Sequence, residues 1–183
     1  MLLRALCGEF NGHPFLGLHF DWTSVSLSMA HSVTAIIAAS SVADHLLNDR
    51  TLVAVDLRDG HRLIPLEDDD LDSLGLDLSQ SLEGFTYLSP SLIQFCAEHS
   101  HHGPLVYLET EYFGGMGTQS AAAFSNGALI APTPLVGIGA INTALRSIGI
   151  IATSAPDEFD HIGLSRHRHT FRWKEAALNE RQL

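Results

Sequence analysis

Hydrophobic and polar positions along this chain follow two different periods, and each marks a different kind of element. From Leu105 to Tyr112, the residues Leu105, Tyr107, Glu109 and Glu111 alternate with Val106, Leu108, Thr110 and Tyr112. That period of two predicts a strand. A glycine loop follows (Gly114, Gly115, Gly117), then the small apolar run Ala121 to Phe124, then Asn126-Gly127 leading into Ala128-Leu129-Ile130. The stretch from Pro104 to Ile130 therefore predicts a three-stranded antiparallel meander with the glycine loop at its first corner. Thr51 to Leu66 predicts a second hairpin, with Arg58-Asp59-Gly60 as its turn and Pro65 placing its second strand at an edge or near its end.

Helical spacing appears elsewhere. Val33, Ile36, Ile37, Val42, Leu46 and Leu47 predict a helix over Met29 to Leu47. Ser89-Pro90 supplies an N-cap and an N1 proline for a helix whose stripe is Leu92, Phe95 and Cys96. Ile138, Ile141, Leu145 and Ile148 form the stripe of a helix from about Gly137 to Ile148, stopped by Gly149, with Ile150 and Ile151 as a short edge strand. The spacing of Ser154 and Asp157 suits a cap for a short turn with Phe159, Ile162 and Leu164 inward. Residues 1–28 mix glycines with aromatic residues and predict a strand over Leu16 to Trp22, His13 and His19 being structural. The expectation is one α+β domain over 1–183: a mostly antiparallel sheet with two or three helices packed on one face, and 174–183 a frayed helical tail.

Charge narrows the function classes. The chain carries 21 acids against 10 bases, a formal net of −11, and Lys174 is its one lysine. No Lys or Arg occurs from Leu63 to Leu145. Such a surface repels phosphate backbones and attracts a basic partner, so a basic protein is expected as partner and nucleic acid is not. No apolar run is long enough to span a membrane, and no secretory signal opens the chain. Cys7 and Cys96 stand alone, which fits reduced thiols and a cytoplasmic location.

Candidate chemistry falls in four places. The acidic stretch 67–83 holds Asp68, Asp69, Asp70 and Asp72 among leucines, and Ser73 and Ser79 occupy positions where a calcium loop needs Gly and Glu. Those aspartates are read instead as a contact edge for a basic partner, Asp68, Asp69 and Asp70 first. Glu109 and Glu111 share a strand face and could act as paired carboxylates, although a salt bridge to Arg166, Arg168 or Arg172 from the tail is the simpler expectation. The glycine loop lacks the patterns of a phosphate cradle, and Gln119 is expected to cap its backbone. Asp157, Glu158, Asp160, His161, His167 and His169 are dense in ligand atoms, yet HxxxH and HExxH are absent, and so is the GxSxG of a serine nucleophile. A network of those acids with Arg166 and Arg168 is expected there. The histidines His99, His101 and His102 suit a helix C-terminus better than a metal.

Taken together, the strand–YFGGMGTQ–strand unit, INTALRSIGI and DEFDHIGLSRHRHT resemble a family of small uncharacterised bacterial proteins, of the sort encoded beside polymorphic toxins as immunity proteins. The resemblance covers about residues 104–173. It implies a cytosolic, non-enzymatic binder that occludes a toxin, with no cofactor, and it assigns no catalytic residue. The alternative is a small hydrolase or metal-dependent enzyme, with the glycine loop and the 157–169 cluster lining one pocket. On that alternative Glu109, Glu111, Gln119, Asp157, His167 and His169 converge in one cleft.

Overall fold

The computed structural model describes residues 30–48, 52–113 and 116–181. The strand expected over Leu16–Trp22, His13, His19 and Cys7 lie outside them, as do Gly114 and Gly115. Among the described residues, seven strands form one sheet. They are β1 (His31–Ala39), β2 (Val55–Asp56), β3 (His61–Pro65), β4 (Leu105–Phe113), β5 (Met116–Ser125), β6 (Ala128–Leu129) and β7 (Leu135–Val136). The order is β2-β3-β1-β4-β5-β6, with β7 also on β5, and every strand pairing is antiparallel.

The α+β class and the mostly antiparallel sheet are as expected. The predicted face of helices carries α1 (Ser40–Leu47), α2 (Asp68–Ser73) and α3 (Pro90–His99). Val42, Leu46, Leu71, Leu92, Phe95 and Cys96 pack there on Ile36, Ile64, Tyr107 and Phe124. The structure adds a second helical layer on the opposite face: α4 (Ala140–Ser147), α5 (Glu158–Ile162) and α6 (Thr170–Glu180). Ile141, Leu145, Ile162, Trp173 and Ala177 pack there on Ala35, Ile37, Val106 and Ala123.

That second layer explains the largest correction. Met29 to Leu47 is not one helix: His31–Ala39 is a central strand, and only Ser40–Leu47 is helical. A helix would bury one stripe of this segment, whereas a strand between two helical layers buries both faces. Ala35, Ile36, Ile37 and Ala38 are all fully buried. A strand buried on both sides loses the alternation that identifies strands, and the β-branched Val33, Thr34, Ile36 and Ile37 suit it.

The second hairpin forms as expected, with Asp59 and Gly60 both at positive φ and Pro65 ending β3. Ser89 Oγ accepts from the Leu92 amide at 3.2 Å, the predicted cap of α3. α4 is shorter than predicted, and Ile138 is 98 % exposed rather than part of its stripe. Gly149 closes α4 as expected. Its amide donates to Arg146 O and that of Ile150 to Leu145 O, with Ile150 buried beside Leu145. Ile150 and Ile151 are not a strand, because Ile150 is used in that cap. Asp157, not Ser154, caps α5, accepting from the Asp160 amide at 2.9 Å.

The tail also departs from expectation. α6 begins at Thr170, four residues before the tail expected from 174, and it is docked rather than frayed. Trp173 and Ala177 are fully buried, and the Trp173 indole N–H donates to His167 O at 3.2 Å. Trp173→Ala is therefore expected to cost about 3–5 kcal/mol in urea unfolding, against under about 1 kcal/mol for the exposed Leu178→Ala. A small Trp173 effect would mean that α6 contributes little to the second core.

Candidate functional site

Register puts the same types of residue into rows. On the α1–α3 face, two rows across β1, β4 and β5 are apolar (Ala38–Leu105–Phe124 and Ile36–Tyr107–Ala122). The next two are polar (Thr34–Glu109–Ser120 and Ser32–Glu111–Thr118). The helices cover the apolar rows. Over the polar rows lies the loop 84–87, and between loop and sheet is a recess of about 370 Å³.

The loop is pinned by the sheet itself. The buried Glu109 carboxylate accepts from the Thr86 amide at 2.5 Å, the Tyr87 amide at 2.9 Å and the Tyr107 hydroxyl at 2.7 Å. Ser120 Oγ donates to Gly84 O at 2.5 Å. Gly84 has φ +81°, and a Cβ there would meet the Val136 side chain at 2.6 Å. The expected bridge from Glu109 to a tail arginine is thus replaced by two backbone amides and a phenol. Burial and the neighbouring Glu109 charge push the Tyr107 hydroxyl well above its usual range.

Among the described residues, four acids line the recess, Glu67, Asp68, Glu109 and Glu111, and no Lys or Arg does. Asp68 accepts from the Tyr87 hydroxyl at 2.7 Å, which pushes that phenol up to about 12. The remaining aspartates divide. Asp69 and Asp72 are exposed on α2, whereas Asp70 is 5 % exposed, bonded to the Glu67 amide and to Lys174 at 2.7 Å. Desolvation pulls the Lys174 pKa down, but its bonds to Asp70 and Glu67 outweigh that and raise it. Lys174 thereby ties α6 to α2.

Across the sheet, the alternate residues of the same strands line a second cavity of about 440 Å³. His31, Thr110, Tyr112 and Gln119 come from the sheet, Ile141 and Asn142 from α4, and Asp157, Phe159, Ser165 and Arg168 from the tail. Gln119 does not cap the glycine loop. Its Nε2 donates to the Tyr112 hydroxyl at 3.0 Å, and its Oε1 accepts from the Ile141 amide at 3.3 Å, in the first turn of α4. Asn142 donates to Asp157 at 3.0 Å and accepts from the Phe159 amide at 2.9 Å, joining α4 to α5. His31 Nδ1 meets Thr110 Oγ1 at 2.8 Å, while its buried Nε2 has no hydrogen-bond partner. Burial, with the Arg168 and His169 charges, lowers the His31 pKa to about 4.

The six residues expected to converge in an enzyme's cleft are therefore split. Glu109 and Glu111 line the recess, and Gln119 and Asp157 line the cavity behind it. His167 packs edge-on against Trp173 at 4.8 Å, and His169 stacks on Phe171 at 5.4 Å. The acids of 157–160 form a network, but with Arg146 and Asn142 in place of Arg166 and Arg168: Arg146 pairs with Glu158 at 2.6 Å. Arg166 instead donates to Asp56 O at 2.7 Å and lies over the Trp173 ring, and Arg172 pairs with Glu175. His99 packs on Phe95 and His102 on His45, and among the described residues no group of His, Cys, Asp or Glu is arranged to hold a metal ion. Cys96 is fully buried, and burial pushes its thiol far up, away from thiolate chemistry.

The fold and site define an α+β protein whose antiparallel sheet carries an acidic recess on one face and a mixed polar and apolar cavity on the other. No protein-family model, curated protein or solved structure matches the chain. Loop 84–87, His31 and Asn142 escaped the sequence reading. Gly84 was the one local signal for the loop.

Glu109→Gln replaces one acceptor oxygen by a donor facing two amides, and is expected to destabilise the protein by about 1–3 kcal/mol in urea titration. The same variant should raise amide hydrogen exchange at Thr86 and Tyr87. For His31 the unfolded state binds the proton from pH 6.5 downward and the folded state only near 4, so its contribution to stability falls on acidification across that window. His31→Asn should make the stability profile flatter than wild type between those pH values, measured by urea unfolding at each pH.

Proposed function

We propose that this protein is a non-enzymatic acidic binder, an immunity-type protein that neutralises a basic toxin domain by occlusion. The recess accepts a cationic side chain of the partner. The observation that carries the reading is the composition of that recess among the described residues: four carboxylates, no Lys or Arg, and a wall otherwise rich in hydroxyl groups. Glu109 is held in place by three donors, so little ordering remains when a cation arrives. Glu111 is exposed at the same face and free to meet the incoming charge, as are Asp69 and Asp72 on the neighbouring helix. Charge-assisted bonds of this kind contribute about 1.5–3 kcal/mol each, and the net charge of −11 speeds the encounter.

The test is capture from a lysate of the native host, eluted with rising salt and read by mass spectrometry. A basic, stoichiometric partner released at moderate salt is the expected result. Against that purified partner, Glu111→Lys combined with Asp69→Lys should slow association about tenfold at low salt, the difference shrinking as salt is raised. An unchanged association rate would remove the recess from the interface, and a partner without basic character would overturn the reading.

A further inference from the structure

Two Asn-Gly pairs occur in the chain, Asn11-Gly12 and Asn126-Gly127, and the second forms the corner between β5 and β6. Asn126 at φ +52° and Gly127 at φ +81° make the turn, with Ser125 and Ala128 paired across it. Asn-Gly is also a reactive pair, because glycine has no side chain to keep its backbone nitrogen away from the neighbouring carboxamide. Here the carboxamide is open and the nitrogen is held. Asn126 is exposed, and among the described residues its carboxamide has no hydrogen-bond partner. The Gly127 amide donates to Ser100 Oγ at 3.0 Å, and the Asn126 amide donates to Ser100 O at 3.1 Å. Ser100 opens the single turn Ser100–His102 that follows α3, and it is fully buried. Its own hydroxyl proton goes to Ala97 O at 2.6 Å, which leaves Oγ as an acceptor for Gly127. The His101 ring covers Gly127, where a Cβ would meet it at 2.4 Å. One buried serine thus fixes the peptide planes on both sides of Asn126.

We propose that Asn126 is a self-modification site, converted to aspartate and isoaspartate through a cyclic imide, with the Ser100 hydroxyl as the latch that sets its rate. Gly127 N forms a bond to Asn126 Cγ as its proton leaves through solvent. The Cγ–Nδ2 bond breaks, and the departing nitrogen takes up a proton and is lost as ammonia. Water then opens the imide at either carbonyl, giving aspartate or isoaspartate. No electrons are exchanged, and water is the one co-reactant. Ring closure turns the Asn126–Gly127 peptide plane, which its bond to Ser100 opposes, so the reaction runs from a locally opened corner. The product adds a carboxylate at an exposed position, and the isoaspartate form adds a backbone carbon between β5 and β6. This corner lies past the Ala38–Leu105–Phe124 row, at the end of the sheet away from the acidic recess, so the inference stands apart from the partner surface proposed above.

The test is incubation of the folded protein at mildly alkaline pH, followed by peptide mass spectrometry that resolves Asn126 from Asn11 and aspartate from isoaspartate. Ser100→Ala should convert Asn126 about tenfold faster than wild type. Ser100→Cys, whose sulfur occupies the same place but accepts weakly, should fall between the two. Wild type unfolded in urea should convert Asn126 about a hundredfold faster than when folded. Conversion of Asn11 should be the same in wild type and both variants. Equal Asn126 rates in folded and unfolded wild type would overturn the proposal, as would both Ser100 variants converting at the wild-type rate. A parallel rise at Asn11 would also overturn it, by making the effect one of global unfolding.

Discussion

Everything in this structure depends on the pairing of β1 with β4. Eight residue pairs, from His31↔Tyr112 to Ala38↔Leu105, fix which side chains face each layer of helices. Because side chains alternate, a slip of one residue would exchange the two faces completely. The deep end of the pairing is apolar on both sides, Ile36 and Tyr107 filling one core and Ile37 and Val106 the other. At the shallow end, the polar rows inherit a register that the apolar rows have already set. Glu109 meets Thr86 and Tyr87, and Thr110 meets His31, only because Ile36 and Tyr107 are locked together two residues away.

This arrangement gives one pair of strands two opposite chemical characters. In the outer half of β4, Glu109 and Glu111 present carboxylates on one face, while Thr110 and Tyr112 present hydroxyls on the other. The sheet separates the two sets by the thickness of a backbone. The acids are placed where, among the described residues, no lysine or arginine lines the wall, and the donors where Asp157 is already engaged as a helix cap. Each face keeps its sign without long-range charge separation along the chain.

What could be read from the sequence follows from how far each signal reaches. Turns and caps are local, and they were legible: Asp59-Gly60, Asn126-Gly127, Ser89-Pro90 and Gly149 all punctuate the chain where expected. The alternation in β4 was visible because its outer half leaves the core and turns polar. β1 carries no strand alternation, because Ala35 to Ala38 lie between two helical layers and show no polar side at all. The carboxylates of the recess were singled out, but their partners come from loop 84–87, more than twenty residues away, and no local pattern announces an acceptor for two amides. The sequence neighbours of Gln119 point to the glycine loop, yet its bonds are to Tyr112 across the hairpin and to the start of α4. Long-range polar contacts of this kind are decided by tertiary packing, which periodicity does not encode.

The outer half of β1 has a further peculiarity. β3 pairs with Ala35 to Ala39, and beyond that point the edge of β1 is completed by the tail: the Ser32 amide donates to Arg168 O, and the Thr34 amide to Thr170 Oγ1. The second contact joins positions 136 apart in the chain. During synthesis, β1 emerges long before the residues that cover this edge, and its amides stay open until α6 has left the ribosome and docked through Trp173. A chain shortened before Arg168 keeps an open strand edge beside Glu111 and Tyr112, a template for pairing with other chains in place of the recess and the cavity.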